Sequence, residues 1–249
     1  GYQSLSGIPG DGNVAIGHDA GKTINSSNNV AIGAYSLDIG NCGGHVVAVG
    51  AYAGRNVASG GSVNTFVGAY CGTAVTTGDH NVFMGYVAGY LTTSSVYNTY
   101  IGNYAGYTNV SGNYCTAVGY QAQFYSTNVE NTSFGALAGH WITTGYSNTM
   151  IGYYAGAGWP TTGYNNTCLG YSAKPSASNA NNEVTLGNTS ISALRCQVAL
   201  TALSDERDKT DIEDLGMGLD FICRLRPRRW SWNWCSTTTP TSWSHRQPP

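Results

Sequence analysis

A glycine returns every 16 to 18 residues along most of this chain: Gly17, Gly33, Gly50, Gly68, Gly85, Gly102, Gly119, Gly135, Gly152, Gly170 and Gly187, with Gly1 one step earlier. So short a period specifies units stacked along one axis, each too small to bury its apolar side alone. Such a chain suits a shaft or an adhesive surface better than a pocketed enzyme.

Aligned on that glycine, the columns predict one short strand per coil. The residue before it is apolar throughout, as in Ile16, Val49, Met84, Ile101, Phe134 and Leu186. Two positions earlier stands a β-branched residue, as in Val14, Val47, Thr65, Thr99, Thr149 and Val184. Alternation along a strand puts these two columns on one face, and their apolar, β-branched character predicts that this face is buried. The residue between them varies (Ala15, Phe66, Tyr100, Ser133, Cys168), which predicts a face turned outward or toward another chain.

Four positions before the glycine stands Asn13, Asn29, Asn64, Asn81, Asn98, Asn131, Asn148 or Asn166, interrupted by Val46, Cys115 and Glu183. Stacked asparagines bond to their neighbours above and below. Three positions after the glycine the residue is small (Ala20, Ala53, Cys71, Ala105), and a second glycine often follows, predicting a tight corner with positive φ. Tyr35, Tyr52, Tyr70, Tyr104 and Tyr154 ride beside that corner as a ladder, and polar turns such as Thr143–Ser147 link the coils. Eleven coils at about 4.8 Å each predict a rod of roughly 50 Å. Two or three small apolar side chains per coil make a thin core, which predicts that several chains share it.

Composition removes several classes. A formal charge of −2 with no basic stripe argues against a nucleic-acid partner, and no apolar run approaches a membrane span. Residues 1–190 hold only Lys22, Arg55 and Lys174 as basic residues, while eight lie beyond, which predicts a boundary near residue 190. The repeat already runs at Gly1, as expected of a fragment lacking its N-terminal part. Seven cysteines, an odd number without CxxC spacing, predict free thiols used as small hydrophobes. The five histidines show no ligand spacing, so neither metal nor cofactor is expected. The acidic residues of the repeats are scattered, against the paired carboxylates of a glycan-cleaving tailspike. The threonine pairs at Thr76, Thr92, Thr143 and Thr161 fall at turns, against an ice-binding ladder.

Beyond residue 190 the beat stops. Leu219, Ile222 and Cys223 recur at helical spacing before Pro227, predicting a short amphipathic helix. Ser204-Asp205, Arg207, Lys209, Ile212, Leu219–Ile222 and Leu225-Arg226-Pro227, followed by Trp230 and Trp232, resemble the start of the peptidase S74 domain, the intramolecular chaperone of phage tail fibres and tailspikes. Val184–Asn188 and Leu194–Val198 resemble its lead-in. The repeats resemble the shafts of such fibres and, more distantly, the β-roll heads of trimeric autotransporter adhesins.

The resemblance implies a homotrimer and cleavage between Leu203 and Ser204, with Ser204 as nucleophile and Lys209 as base. A serine hydroxyl needs such a base, and lysine serves only when desolvation keeps it neutral. On spacing alone Ser204 reads rather as an N-cap and Lys209 as a solvated charge; it is the surrounding resemblance that turns the reading toward the peptidase pair. The family pattern is lost after Asn233 and the tail is low in complexity, so truncation predicts impaired cleavage. The expectation is an all-β solenoid or β-roll fibre of about 17 residues per coil, trimeric, with a short helical C-terminal piece. Its parts are a shaft (1–190), a lead-in (191–203), a partial chaperone segment (204–233) and a tail (234–249). Its expected role is a virion tail-fibre shaft or receptor-binding segment, assembled in the host cytoplasm. Its partners would be itself, other tail proteins and a host surface glycan or protein. The competing reading is an adhesin head on a bacterial surface.

Overall fold

The computed structural model describes residues 1–7, 10–158 and 161–197. The chain divides into two compact units, Gly1–Leu194 and Arg195–Pro249. The first is an all-β parallel solenoid, and the described residues contain no helix. The helix expected around Leu219–Ile222 lies outside the described residues.

Eleven three-residue strands mark the coils: β1 (Val14–Ile16), β2 (Val30–Ile32), β3 (Val47–Val49), β4 (Thr65–Val67), β5 (Val82–Met84), β6 (Thr99–Ile101), β7 (Thr116–Val118), β8 (Thr132–Phe134), β9 (Thr149–Ile151), β10 (Thr167–Leu169) and β11 (Val184–Leu186). They form one sheet in chain order, each strand parallel to the next and in register column by column. At about 4.8 Å per layer the sheet runs about 48 Å.

The facing of these strands is opposite to that expected from the sequence. The variable middle residue points into the coil: Ala31, Ala48, Phe66, Phe83, Tyr100, Ala117, Ser133 and Met150 are fully buried. The β-branched and aliphatic columns point outward, with Ile16 59% and Phe134 58% exposed. The reason is steric. One coil has a narrow lumen, and a three-residue strand presents either one side chain to it or two.

Variation in the middle column then reflects mutual fitting across the lumen. Where that residue is small, the far wall supplies bulk, as Ala15 is matched by Ile24, Ala48 by Val57 and Ser133 by Ile142. Two of the large residues face a polar wall, Phe83 with Thr92 and Tyr100 with Asn109, whose Nδ2 donates to the Tyr100 hydroxyl, whereas Phe66 keeps a fully buried Val75 in its coil. The core is therefore thicker in its middle coils than expected, with Phe83 and Tyr100 stacked at 4.8 Å. The second glycine of the corner makes room for these rings. A Cβ on Gly106, at φ +59°, would stand 2.4 Å from the Tyr100 ring.

The asparagine column bonds as expected. Asn81 Oδ1 accepts from the Asn98 amide at 3.0 Å, and Asn98 Oδ1 accepts from the Cys115 amide at 2.8 Å. Their Nδ2 groups reach the carbonyls of links one coil on, Asn81 to Ser95 at 2.8 Å and Asn98 to Gly112 at 2.9 Å. These side chains are fully buried, so they satisfy backbone groups that no strand reaches.

Candidate functional site

Two surfaces of the solenoid have the character of contact sites. The first is the outer strand face. Val14, Ile16, Val82, Met84, Phe134, Ile151, Leu169, Val184 and Leu186 all stand exposed on one continuous sheet. Ten layer steps of about 4.8 Å by three residues of about 3.3 Å give roughly 500 Å². That is at the upper end of what a monomer leaves apolar and exposed. The strand column also carries a threonine ladder, Thr99, Thr116, Thr132, Thr149 and Thr167, which the sequence reading did not place on a flat face. Met84, Phe134 and Leu169 protrude beside it, so the face lacks the even height of an ice-binding array.

The second surface is aromatic. Tyr35 stacks on Tyr52 at 5.0 Å and Tyr52 on Tyr70 at 4.9 Å. These tyrosines sit in the left-handed region, Tyr35, Tyr52, Tyr70, Tyr104 and Tyr154 all having φ between 57° and 60°. Stacking holds each ring over the one below and leaves an edge wet. Arg55 lies 5.4 Å from the Tyr52 ring centre and 5.9 Å from that of Tyr35, and its Nε meets Asp38 Oδ2 at 3.5 Å. A second stack rises beside the first: Tyr90 with Tyr107, Tyr107 with Phe124, and Phe124 with His140. Burial among these rings lowers the His140 pKa below its usual 6.5, partly opposed by its Nδ1 contact with the Gln121 carbonyl.

The variable strand column, expected to face outward or toward another chain, is inside and unavailable for contacts. The tyrosine ladder and the links remain on the surface. Cys42, Cys71, Cys115 and Cys168 are buried free thiols and Cys196 is exposed and free. Burial pushes the Cys71 thiol up to about 12 and that of Cys168 to about 11. Among the described residues no three histidine, cysteine or carboxylate side chains gather as a metal site.

Leu203, Ser204 and Lys209 lie outside the described residues, so their mutual geometry is not on view. Their sequence context is informative. Residues 204–245 match the family model of the peptidase S74 chaperone of endosialidase. The match opens on Ser204 itself, and it runs past Asn233, where the sequence reading has the pattern fade. No curated protein and no solved structure matches the chain. A chaperone-of-endosialidase segment following a solenoid fits a tail-fibre or adhesin shaft that carries its own assembly factor.

Two features escaped the sequence reading. The outward strand face was missed because alternation says which columns share a face without saying which face is inside. The interruption of the tyrosine ladder at Val87 was also legible, being the one coil from Gly33 to Gly102 whose second residue after the glycine is not tyrosine.

Proposed function

We propose that this chain is a structural segment of a virion tail fibre, a shaft or receptor-binding piece. Three copies pack through the outer strand face, and the segment from Ser204 assists their assembly. The match opening at Ser204, directly after a fibre-like solenoid, is the observation that carries this reading. It favours a tail fibre over an adhesin head. Three faces of roughly 500 Å² would bury about 1,500 Å² in total, roughly 500 Å² for each pair of chains, the size of a small interface. Shared burial there would replace the shared inner core expected from the sequence.

The chaperone segment would place Ser204 as nucleophile and Lys209 as base for a cut between Leu203 and Ser204. Desolvation of Lys209 in the assembled trimer would time that cut. Assembly would occur in the host cytoplasm, with other tail proteins at the ends and a host surface glycan or protein at the wet tyrosines and links.

Light scattering on the full chain tests this directly. The expected mass is three times that of one chain. Ile101→Glu with Val118→Glu, on the outer face of β6 and β7, should give a monomer with unchanged far-UV circular dichroism. A native chain that is monomeric would sink the reading. Intact-mass analysis of the trimer should show a break after Leu203; a trimer of unbroken chains would overturn the roles given to Ser204 and Lys209.

A further inference from the structure

The tyrosine ladder has a missing rung. Where the coils on either side place Tyr70 and Tyr104, the coil of β5 places Val87, at φ +61°. The left-handed backbone belongs to the corner itself, since Tyr70, Tyr104, Gln121 and Leu137 hold it at the same place in their coils; what changes at Val87 is the loss of a ring. Tyr86 turns beside the gap, 6.3 Å and 89° from Tyr70 and 5.6 Å and 83° from Tyr104. Tyr90 and Tyr107, stacked at 5.6 Å, form the opposite side. The result is a cleft of about 270 Å³ lined by Tyr70, Tyr86, Val87, Tyr90, Tyr104 and Tyr107.

We propose that this cleft binds a single pyranose ring of a neutral surface glycan, resting on the reading of the rod as a host-contacting segment. The volume lies just under the usual range for small-molecule sites, which suits one ring. The walls combine ring faces, complementary to the apolar C–H face of a sugar, with phenol hydroxyls that donate to and accept from its hydroxyls. No charged side chain lines the cleft, so nothing there balances an ionic ligand. Val87 is 7% exposed and closes the floor, while Tyr70 and Tyr86 are open to the approach.

Saturation-transfer NMR on the full chain tests the site, with methyl α-glucopyranoside, methyl α-galactopyranoside and methyl α-mannopyranoside as probes and tetramethylammonium as comparator. Transfer to the ring protons of at least one glycoside is expected. Val87→Tyr restores the rung, in a backbone conformation that tyrosine holds in neighbouring coils, and should abolish the signal without lowering the melting temperature. Tyr86→Ala leaves the left-handed position untouched and should weaken binding about fivefold, the scale of one aromatic contact. It reads out the same loss if Val87→Tyr folds poorly. No transfer to any glycoside, transfer unchanged in both variants, or transfer to tetramethylammonium alone would overturn the proposal. A trimeric mass with no sugar signal would leave the shaft reading standing.

Discussion

Asn81 is the position where the hydrogen-bond logic of the stack is most open to measurement. Its Oδ1 accepts from the Asn98 amide at 3.0 Å, and its Nδ2 donates to the Ser95 carbonyl at 2.8 Å and to Asn64 Oδ1 at 3.2 Å. Truncation by Asn81→Ala leaves a buried donor and a buried acceptor without these partners. At about 1–3 kcal/mol for each orphaned group, the loss is about 2–6 kcal/mol. Asn81→Asp keeps the acceptor for Asn98 but turns a charged oxygen toward the Ser95 carbonyl and Asn64 Oδ1. A buried charge without a partner costs about 3–5 kcal/mol, so at pH 7 the aspartate should be at least as damaging as the alanine. The same burial raises the carboxyl's folded pKa above its unfolded value of about 3.9. The folded state then holds the extra proton, so stability recovers as pH falls through the raised pKa and is fully restored below the unfolded one. A protonated carboxyl donates to Ser95 as the amide did. Urea unfolding of both variants at pH 7 and pH 4, with hydrogen exchange at the Asn98 amide, should therefore show the two crossing in rank. An aspartate variant as stable as the parent at pH 7, or one that gains nothing on acidification, would refute the ladder as the fastening between coils.

Other consequences follow from the same geometry. Phe83→Ala should cost about 3–5 kcal/mol in urea unfolding, as expected for emptying a fully buried ring site. Gly106→Ala should be worse than its single methyl suggests, because it forces both a left-handed alanine and a clash with the Tyr100 ring, and melting should fall well below that of an exposed glycine control. Native-state labelling with a thiol reagent should reach Cys196 and spare Cys42, Cys71, Cys115 and Cys168, all four of which become reactive in urea. Because burial lowers the His140 pKa, its neutral form stabilises the fold fully above pH 6.5, and that contribution should fade as pH drops below 6.5; His140→Phe should flatten this part of the pH–stability curve.

The period, the strand positions, the asparagine ladder and the glycine corners were all legible in the sequence because each is a local demand. A buried link carbonyl needs Nδ2 of Asn98, and the Tyr100 ring needs a glycine at 106, whatever the rest of the coil does. Facing is different in kind. Val47 and Val49 carry the stronger apolar signal, Ala48 the weaker, yet Ala48 is the buried one. Hydrophobicity alone says that a side chain avoids water; it does not distinguish a neighbour in the same coil from one in another copy. The gap in the tyrosine ladder is of the local kind: with the coils aligned on their glycines, Tyr70 and Tyr104 announce a column and Val87 stands where it breaks.

That reversal changes what the apolar columns are for. With Phe66, Phe83, Tyr100 and Met150 filling the lumen, the middle coils close their own interior without outside help. Ile101 and Val118 are then not needed to hold a coil together, and a selection for stability of one chain alone would have no reason to place aliphatic side chains there. Eleven successive strands nevertheless present apolar side chains on that face. Replacing one of them by glutamate separates the two demands: the coil should fold as before, and only contacts made beyond the single chain should fail.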